Sequence, residues 1–132
     1  MIKSNIKASF ECDIEKVWDI ITNNNEYSWR SDIDRIEIVD DNNFIEYTKD
    51  NFPTNFKITK KDNLKRYEFD IENKNIRGHW IGIFFKKENG ETQIDFTEEI
   101  EVNNVIMRLL AKSYLKRQQE RYIEDLRKII KK

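Results

Sequence analysis

The feature that most constrains this chain is the contrast between its middle and its end. Almost everything from Ile36 to Val102 alternates as strands do. From Val105 to Lys131 no glycine or proline occurs and apolar residues recur at helical spacing. At 1.5 Å per residue a helix of that length spans roughly 40 Å, so it must cross the whole sheet that precedes it. Its expected buried stripe is Met107, Ala111, Leu115, Tyr122, Leu126 and Ile129, widened by Leu110 and Tyr114, with the apolar ends anchoring it. Gln118 and Gln119 interrupt the middle of that stripe. A buried amide without partners costs about 1–3 kcal/mol, so the two glutamines call for a wet or ligand-filled space, or for a solvent edge where the sheet has curved away.

The rest of the chain supplies the sheet. Ile6, Ala8, Phe10 and Cys12 alternate with polar residues as a first strand. Asp13 stands at a capping position before Ile14, Val17, Trp18 and Ile21, which share one helical face. Asn23 to Asn25 end that helix, and a short helical or turn-like segment is expected over 26–31. Runs at 35–39, 44–49, 54–60, 67–72, 76–87 and 92–102 then read as a meander of antiparallel strands. Asn89-Gly90 is the strongest hairpin signal. As a two-residue turn it sets Ile81 opposite Glu98 and makes His79 a diagonal neighbour of Glu98, whereas a one-residue bulge at Gly90 sets Trp80 opposite Glu98. Gly78 and Gly82 flank Trp80 on one strand, where a bend, a covered backbone or a cavity wall would each explain them.

Composition narrows the function classes. With 132 residues the chain fits a single domain over 1–132. Its 24 Lys+Arg against 25 Asp+Glu leave a formal net charge of -1, which favours neither nucleic acid nor an acidic membrane. Cys12 is the one cysteine and His79 the one histidine, so neither an intramolecular disulfide nor a histidine–cysteine metal site is expected. No cofactor is expected, since no glycine-rich phosphate loop is present, and no nucleophile elbow either. The first residues form no signal-like run and no stretch of about 18 apolar residues occurs, so a cytoplasmic protein without integral membrane association is expected. The oligomeric state is not readable.

Several segments carry a family resemblance. Phe10-Glu11-Cys12-Asp13-Ile14-Glu15-Lys16-Val17-Trp18 resembles the strand-to-helix junction of the START-related and polyketide cyclase/dehydrase-like superfamily, SRPBCC. Tyr27-Ser28-Trp29 is similar to the aromatic turn after its first helix, and Gly90-Glu91-Thr92-Gln93-Ile94-Asp95-Phe96 resembles its Gly-Thr start to the last strand, with one extra residue. The prolines that many members place at the helix start and after the tryptophan are replaced here by Ile14 and Arg30-Ser31. The resemblance covers essentially the whole chain and implies an α+β helix-grip fold. In it a curved antiparallel sheet of about seven strands, in the order β-α-α-β6-α, wraps a long C-terminal helix around an internal apolar cavity.

What the resemblance implies for function is a small hydrophobic or amphipathic ligand, lipid- or polyketide-like, bound or transported in that cavity. Trp29, Tyr47, Phe56, Tyr67, Phe69, Trp80, Phe96, Glu98, Tyr114 and Gln118 are the candidate ligand-binding residues, with core packing the competing role for the aromatics. A cyclase or dehydrase would use Glu98 and His79, because Glu98 shares strand parity with Ile94, Phe96 and Ile100 and an inward carboxylate becomes a general acid or base. A rim ion pair is the alternative for Glu98. No firm catalytic residue emerges, and a protein-interaction module of co-chaperone type is the third class.

Overall fold

The computed structural model describes residues 1–131. The elements follow as β1 (Ile2–Phe10), α1 (Ile14–Thr22), β2 (Arg35–Ile38), β3 (Asn43–Tyr47), β4 (Pro53–Asp62), β5 (Arg66–Glu72), β6 (Ile76–Lys86), β7 (Thr92–Val102) and α2 (Val105–Ile130). The seven strands form one open antiparallel sheet in the order β1-β7-β6-β5-β4-β3-β2, curved around α2. Strands β2 to β7 are a simple meander. Only β1 pairs out of sequence, with β7, so α1 and the loop after it carry the chain from one edge of the sheet to the other.

Local chemistry accounts for most of these boundaries. Val17, Trp18 and Ile21 bury one face of α1, and Trp18 meets Tyr67 and Phe84 edge-on at 6.0 and 4.9 Å between ring centroids. Asp13 holds the N-cap position, yet its carboxylate makes no capping hydrogen bond. Asn104 does cap α2, its side chain accepting from the amides of Ile106 and Met107. Residues 26–31 form a turn in place of a second helix. Arg30 N donates to the Tyr27 carbonyl at 2.9 Å, and the next amide, Ser31 N, is drawn away to Asp125 Oδ2 at 2.8 Å.

The β6–β7 hairpin is the bulged form. Lys86 pairs with Thr92, the amide of Lys87 donates to the Glu91 carbonyl at 2.8 Å, and Gly90 takes φ 89°. A three-residue loop that ends in a left-handed glycine shifts the register by one relative to a two-residue turn. Trp80 therefore lies opposite Glu98 and His79 opposite Glu99. At Gly82 a Cβ would collide with the Trp80 ring, so the glycine is the seat on which that ring lies. A register shift between Ile58 and Lys60 adds a bulge to β4.

The core has two parts. A large aromatic cluster joins Phe10, Val17, Trp18, Tyr67, Trp80, Phe84 and Phe96 to Ile123 and Leu126 of α2. A small one joins Ile100 and Val102 to Ala111 and Leu115. The apolar N-terminal end of α2, expected to anchor it, is instead exposed at Val105, Ile106, Leu109 and Leu110. No helix of the described residues is long and apolar enough to cross a membrane.

Candidate functional site

A cavity of about 570 Å³ opens between the concave face of the sheet and α2, bordered by both core clusters. That volume suits a small organic molecule. Strand parity decides which side chains reach it. Phe44 and Glu46 of β3, Phe56 of β4, Tyr67, Phe69 and Ile71 of β5, Trp80 of β6, and Phe96, Glu98 and Ile100 of β7 all line it. From α2 come Met107, Leu110, Ala111, Tyr114, Leu115, Gln118, Gln119 and Tyr122. Met107, Leu110 and Tyr114 are also exposed, which puts the mouth along the first half of the helix.

The aromatics of the sheet wall interlock. Phe69 stacks on Trp80 at 4.7 Å and Phe44 on Phe56 at 4.9 Å, while Phe69 meets Phe44, Phe56 and Tyr67 edge-on. These contacts rigidify the wall and leave ring faces and edges turned toward the cavity. Tyr67 is buried and its hydroxyl has no hydrogen-bond partner. Burial pushes that phenol up to about 12, so it stays protonated.

Three residues that sequence reasoning missed form the polar wall. The Arg30 guanidinium donates from Nε and Nη2 to the two carboxylate oxygens of Asp32, both at 2.9 Å, and from Nη1 and Nη2 to Glu46 at 3.4 and 3.3 Å. The guanidinium also lies 4.9 Å from the Tyr122 ring centroid and 5.8 Å from that of Trp29. Burial disfavours the Arg30 charge, but Glu46 and Asp32 more than offset this and hold it firmly protonated. Asp32 is half-buried, which by itself would raise its pKa, but its hydrogen bond to Arg30 and the Arg30 charge hold it below the ordinary carboxylate range. Glu46 is pushed up, because burial outweighs the pull of Arg30. Its place was readable, since it shares parity with Phe44 as Glu98 does with Phe96. Arg30 lies in a loop, where no periodicity points to it.

Glu98 projects into the same space. Burial, reinforced by the charge of Glu46 and opposed by that of Arg30, raises its carboxyl to about 7. No hydrogen bond holds it among the described residues. It is not paired to a rim cation.

His79 stands elsewhere. It projects from the convex face of β6, with Nδ1 2.7 Å from Asp70 Oδ1 and Nε2 2.8 Å from Glu68 Oε1. Burial lowers its pKa, but the two carboxylates raise it further, so the net shift is upward. The one-residue shift of the hairpin register put it there, and the structure does not bring His79 and Glu98 together. Tyr47 is on the convex face too, under the Arg35 guanidinium at 3.9 Å. Trp29 stops short of the cavity; it packs edge-on against Tyr122 at 5.3 Å and backs Arg30. Among the ten candidate ligand contacts, Phe56, Tyr67, Phe69, Trp80, Phe96, Glu98, Tyr114 and Gln118 line the cavity.

The two glutamines divide the roles that sequence left open. Gln119 is buried: its Oε1 accepts from the Ser4 hydroxyl at 2.7 Å and its Nε2 donates to the Ser4 carbonyl at 3.0 Å. Gln118 donates to the Tyr114 hydroxyl at 2.9 Å beside the mouth. Among the described residues no three histidines, cysteines or carboxylates come together as a metal-binding group.

No family model matches the chain, and no characterised protein matches it by sequence. Solved structures do match by shape. A START superfamily protein from Mycobacterium smegmatis superposes with a TM-score of 0.86 at 8% identity, covering 98% of this chain and 97% of the other. A conserved protein from Geobacillus kaustophilus gives 0.85 at 12% identity, over 98% and 95%. A protein of the dynemicin biosynthetic locus gives 0.77 at 7% identity, over 99% of this chain but 48% of that one. Likeness at such low identity is likeness of fold, and a fold is shared by proteins of unrelated activity. The chain has a helix-grip fold of the START and SRPBCC type.

Proposed function

We propose that this protein binds a small hydrophobic or amphipathic molecule in the cavity between the sheet and α2. The observation that carries this reading is the cavity itself: about 570 Å³, walled by interlocked aromatics, with a few polar groups gathered at one place. Such a space is costly to leave empty, because its lining forgoes packing contacts that a ligand would restore. A lipid- or polyketide-like skeleton suits the aromatic wall, and it is the ligand class that the START and SRPBCC resemblance implies.

A second reading, a cyclase- or dehydrase-type reaction in the same cavity, rests on Glu98, whose carboxyl near 7 is suited to proton transfer. It would have to use Glu98 with a tyrosine such as Tyr67, since His79 is on the other face. Native mass spectrometry of the purified chain, extraction of bound small molecules and a thermal-shift panel of lipids and aromatic polyketides test the binding reading. Co-purifying apolar molecules, or a melting temperature raised by one ligand class, support it. A ligand-free protein indifferent to the whole panel would remove it.

A further inference from the structure

The polar wall of the cavity holds three carboxyl groups against one cation shielded from water. Asp32, Glu46 and Glu98 line it against Arg30, and the four Arg30 bonds run to Asp32 and Glu46 alone. A ligand carboxylate or phosphate would have to displace one of these bonds and sit beside the carboxylates so released. Arg117, the other cation on the lining, is exposed and solvated at the rim. Glu98, by contrast, has no partner.

We propose that this cavity, taken as the ligand site above, selects hydrophobic molecules with an ammonium head over those ending in carboxylate or phosphate.

Three further features of the wall favour the ammonium. Its N–H groups would give Glu98 the charge-assisted hydrogen bonds it lacks. Tyr67 offers a buried phenol oxygen that makes no well-formed hydrogen bond, although the Asn24 side chain lies near it, and it is able to accept from a donor head. Trp80, directly across from Glu98 in the sheet, and Phe96, two residues along its strand, put aromatic rings beside the carboxylate, an environment that suits a cation better than an anion. A bare metal ion is a poorer occupant, since no three ligating side chains converge among the described residues. The hydrocarbon part would run toward Ile100, Val102 and Leu115, where the lining is apolar up to the mouth at Met107 and Leu110.

Decylamine, 1-decanol and decanoate, matched in chain length, distinguish the head group from the cavity. The purified chain is titrated with each by isothermal calorimetry at pH 7.5, with native mass spectra to count bound molecules. Decylamine should bind at least about tenfold more tightly than decanoate, with decanol between them. In Glu98→Gln the advantage of the amine over decanol should be largely lost, while decanol binding holds. Decanoate binding as tightly as decylamine, with decanol also bound, overturns head-group selection and leaves the cavity as a ligand site. An unchanged amine advantage in a folded Glu98→Gln overturns the role of Glu98. Where that variant does not fold, the wild-type series decides alone. Failure of all three to bind removes the ligand site and the selection with it.

Discussion

The first half of α2 carries more apolar residues than the second, yet leaves most of them exposed. In the second half Ile123 and Leu126 are buried in the aromatic core, and Asp125 Oδ2 accepts from both the amide and the hydroxyl of Ser31 at 2.8 Å. In the first half only Ala111 and Leu115 are buried, while Val105, Ile106 and Leu109 face outward and Leu110 stands exposed at the cavity mouth. A helical stripe says which face is able to bury apolar area; whether it does depends on what the sheet presents. Opposite the second half the sheet presents Phe96 and Phe10; opposite the first half its Ile100 and Val102 meet Ala111 and Leu115, and the cavity mouth opens beside them. The second half holds the fold, and the first is a wall.

The seam between the halves is the sharpest place to break that division. Arg30 lies against Tyr122 and pairs with Asp32 and Glu46, all largely shielded from water. Arg30→Met removes the cation and leaves two carboxylates without it, for an expected loss of about 3–5 kcal/mol in urea unfolding. A loss below about 1 kcal/mol would show that the carboxylates reach water or take up protons freely.

Leu126→Ala probes the anchoring half directly. Leu126 has 0% exposure in the aromatic cluster, so the truncation should cost about 2–5 kcal/mol through lost burial and an unfilled void. The urea midpoint at constant slope measures it. A loss as small as that of an exposed leucine would dissolve the contrast between the halves.

Glu98 gives the contrast a pH dependence. Its carboxyl stands at about 7 in the fold against an ordinary 4.5, so the folded chain holds that proton more tightly than the unfolded one. Stability linked to this group is complete below about 4.5 and falls as pH rises through 7, by about 3 kcal/mol in all. The charged or titratable groups around the cavity are Glu46 on β3, Arg30 and Asp32 in the loop before β2, Tyr67 on β5 and Arg117, Tyr114 and Tyr122 on α2. Glu98→Gln removes the term, so above pH 8 the variant should be the more stable protein, by up to about 3 kcal/mol. Equal stability of the two proteins from pH 5 to 8 would show that Glu98 is hydrated in the fold.

Gln119 sits where the helix passes from anchor to wall. Gln119→Ala leaves the Ser4 hydroxyl and carbonyl without their partner, and a loss of about 1–3 kcal/mol is expected in the same urea experiment. Partial rescue by Ser4→Ala in that background, beyond additivity, would isolate the hydroxyl–amide pair, since the substitution removes the hydroxyl and keeps the backbone carbonyl.

Much of the fold was legible because its signals are periodic. The alternation of Tyr67, Phe69 and Ile71, the hairpin at Asn89-Gly90 and the unbroken run after Asn104 each imply one local structure. The site was only partly legible, for two reasons. Parity turns on single residues: the extra loop residue at Gly90 decided that His79 faces out while Glu98 faces in. The polar wall is assembled through a loop, so nothing near Arg30 in sequence foretells that it pairs with Glu46, or that Ser31 beside it binds Asp125. The burial of Gln119 depends likewise on Ser4, a partner 115 residues away.

The smallest effect is also the most specific to the first half of α2. Leu109 is 82% exposed, so Leu109→Ser should change unfolding stability by no more than about 0.5 kcal/mol, although an apolar residue on a long helix is lost. The substitution exchanges a strong helix former for a weaker one, which adds a few tenths of a kcal/mol at most. A loss above about 1 kcal/mol would mean that Leu109 is covered in the folded protein. In that case the first half of α2 is anchored by contacts as the second half is, and it cannot serve as an open wall of the cavity.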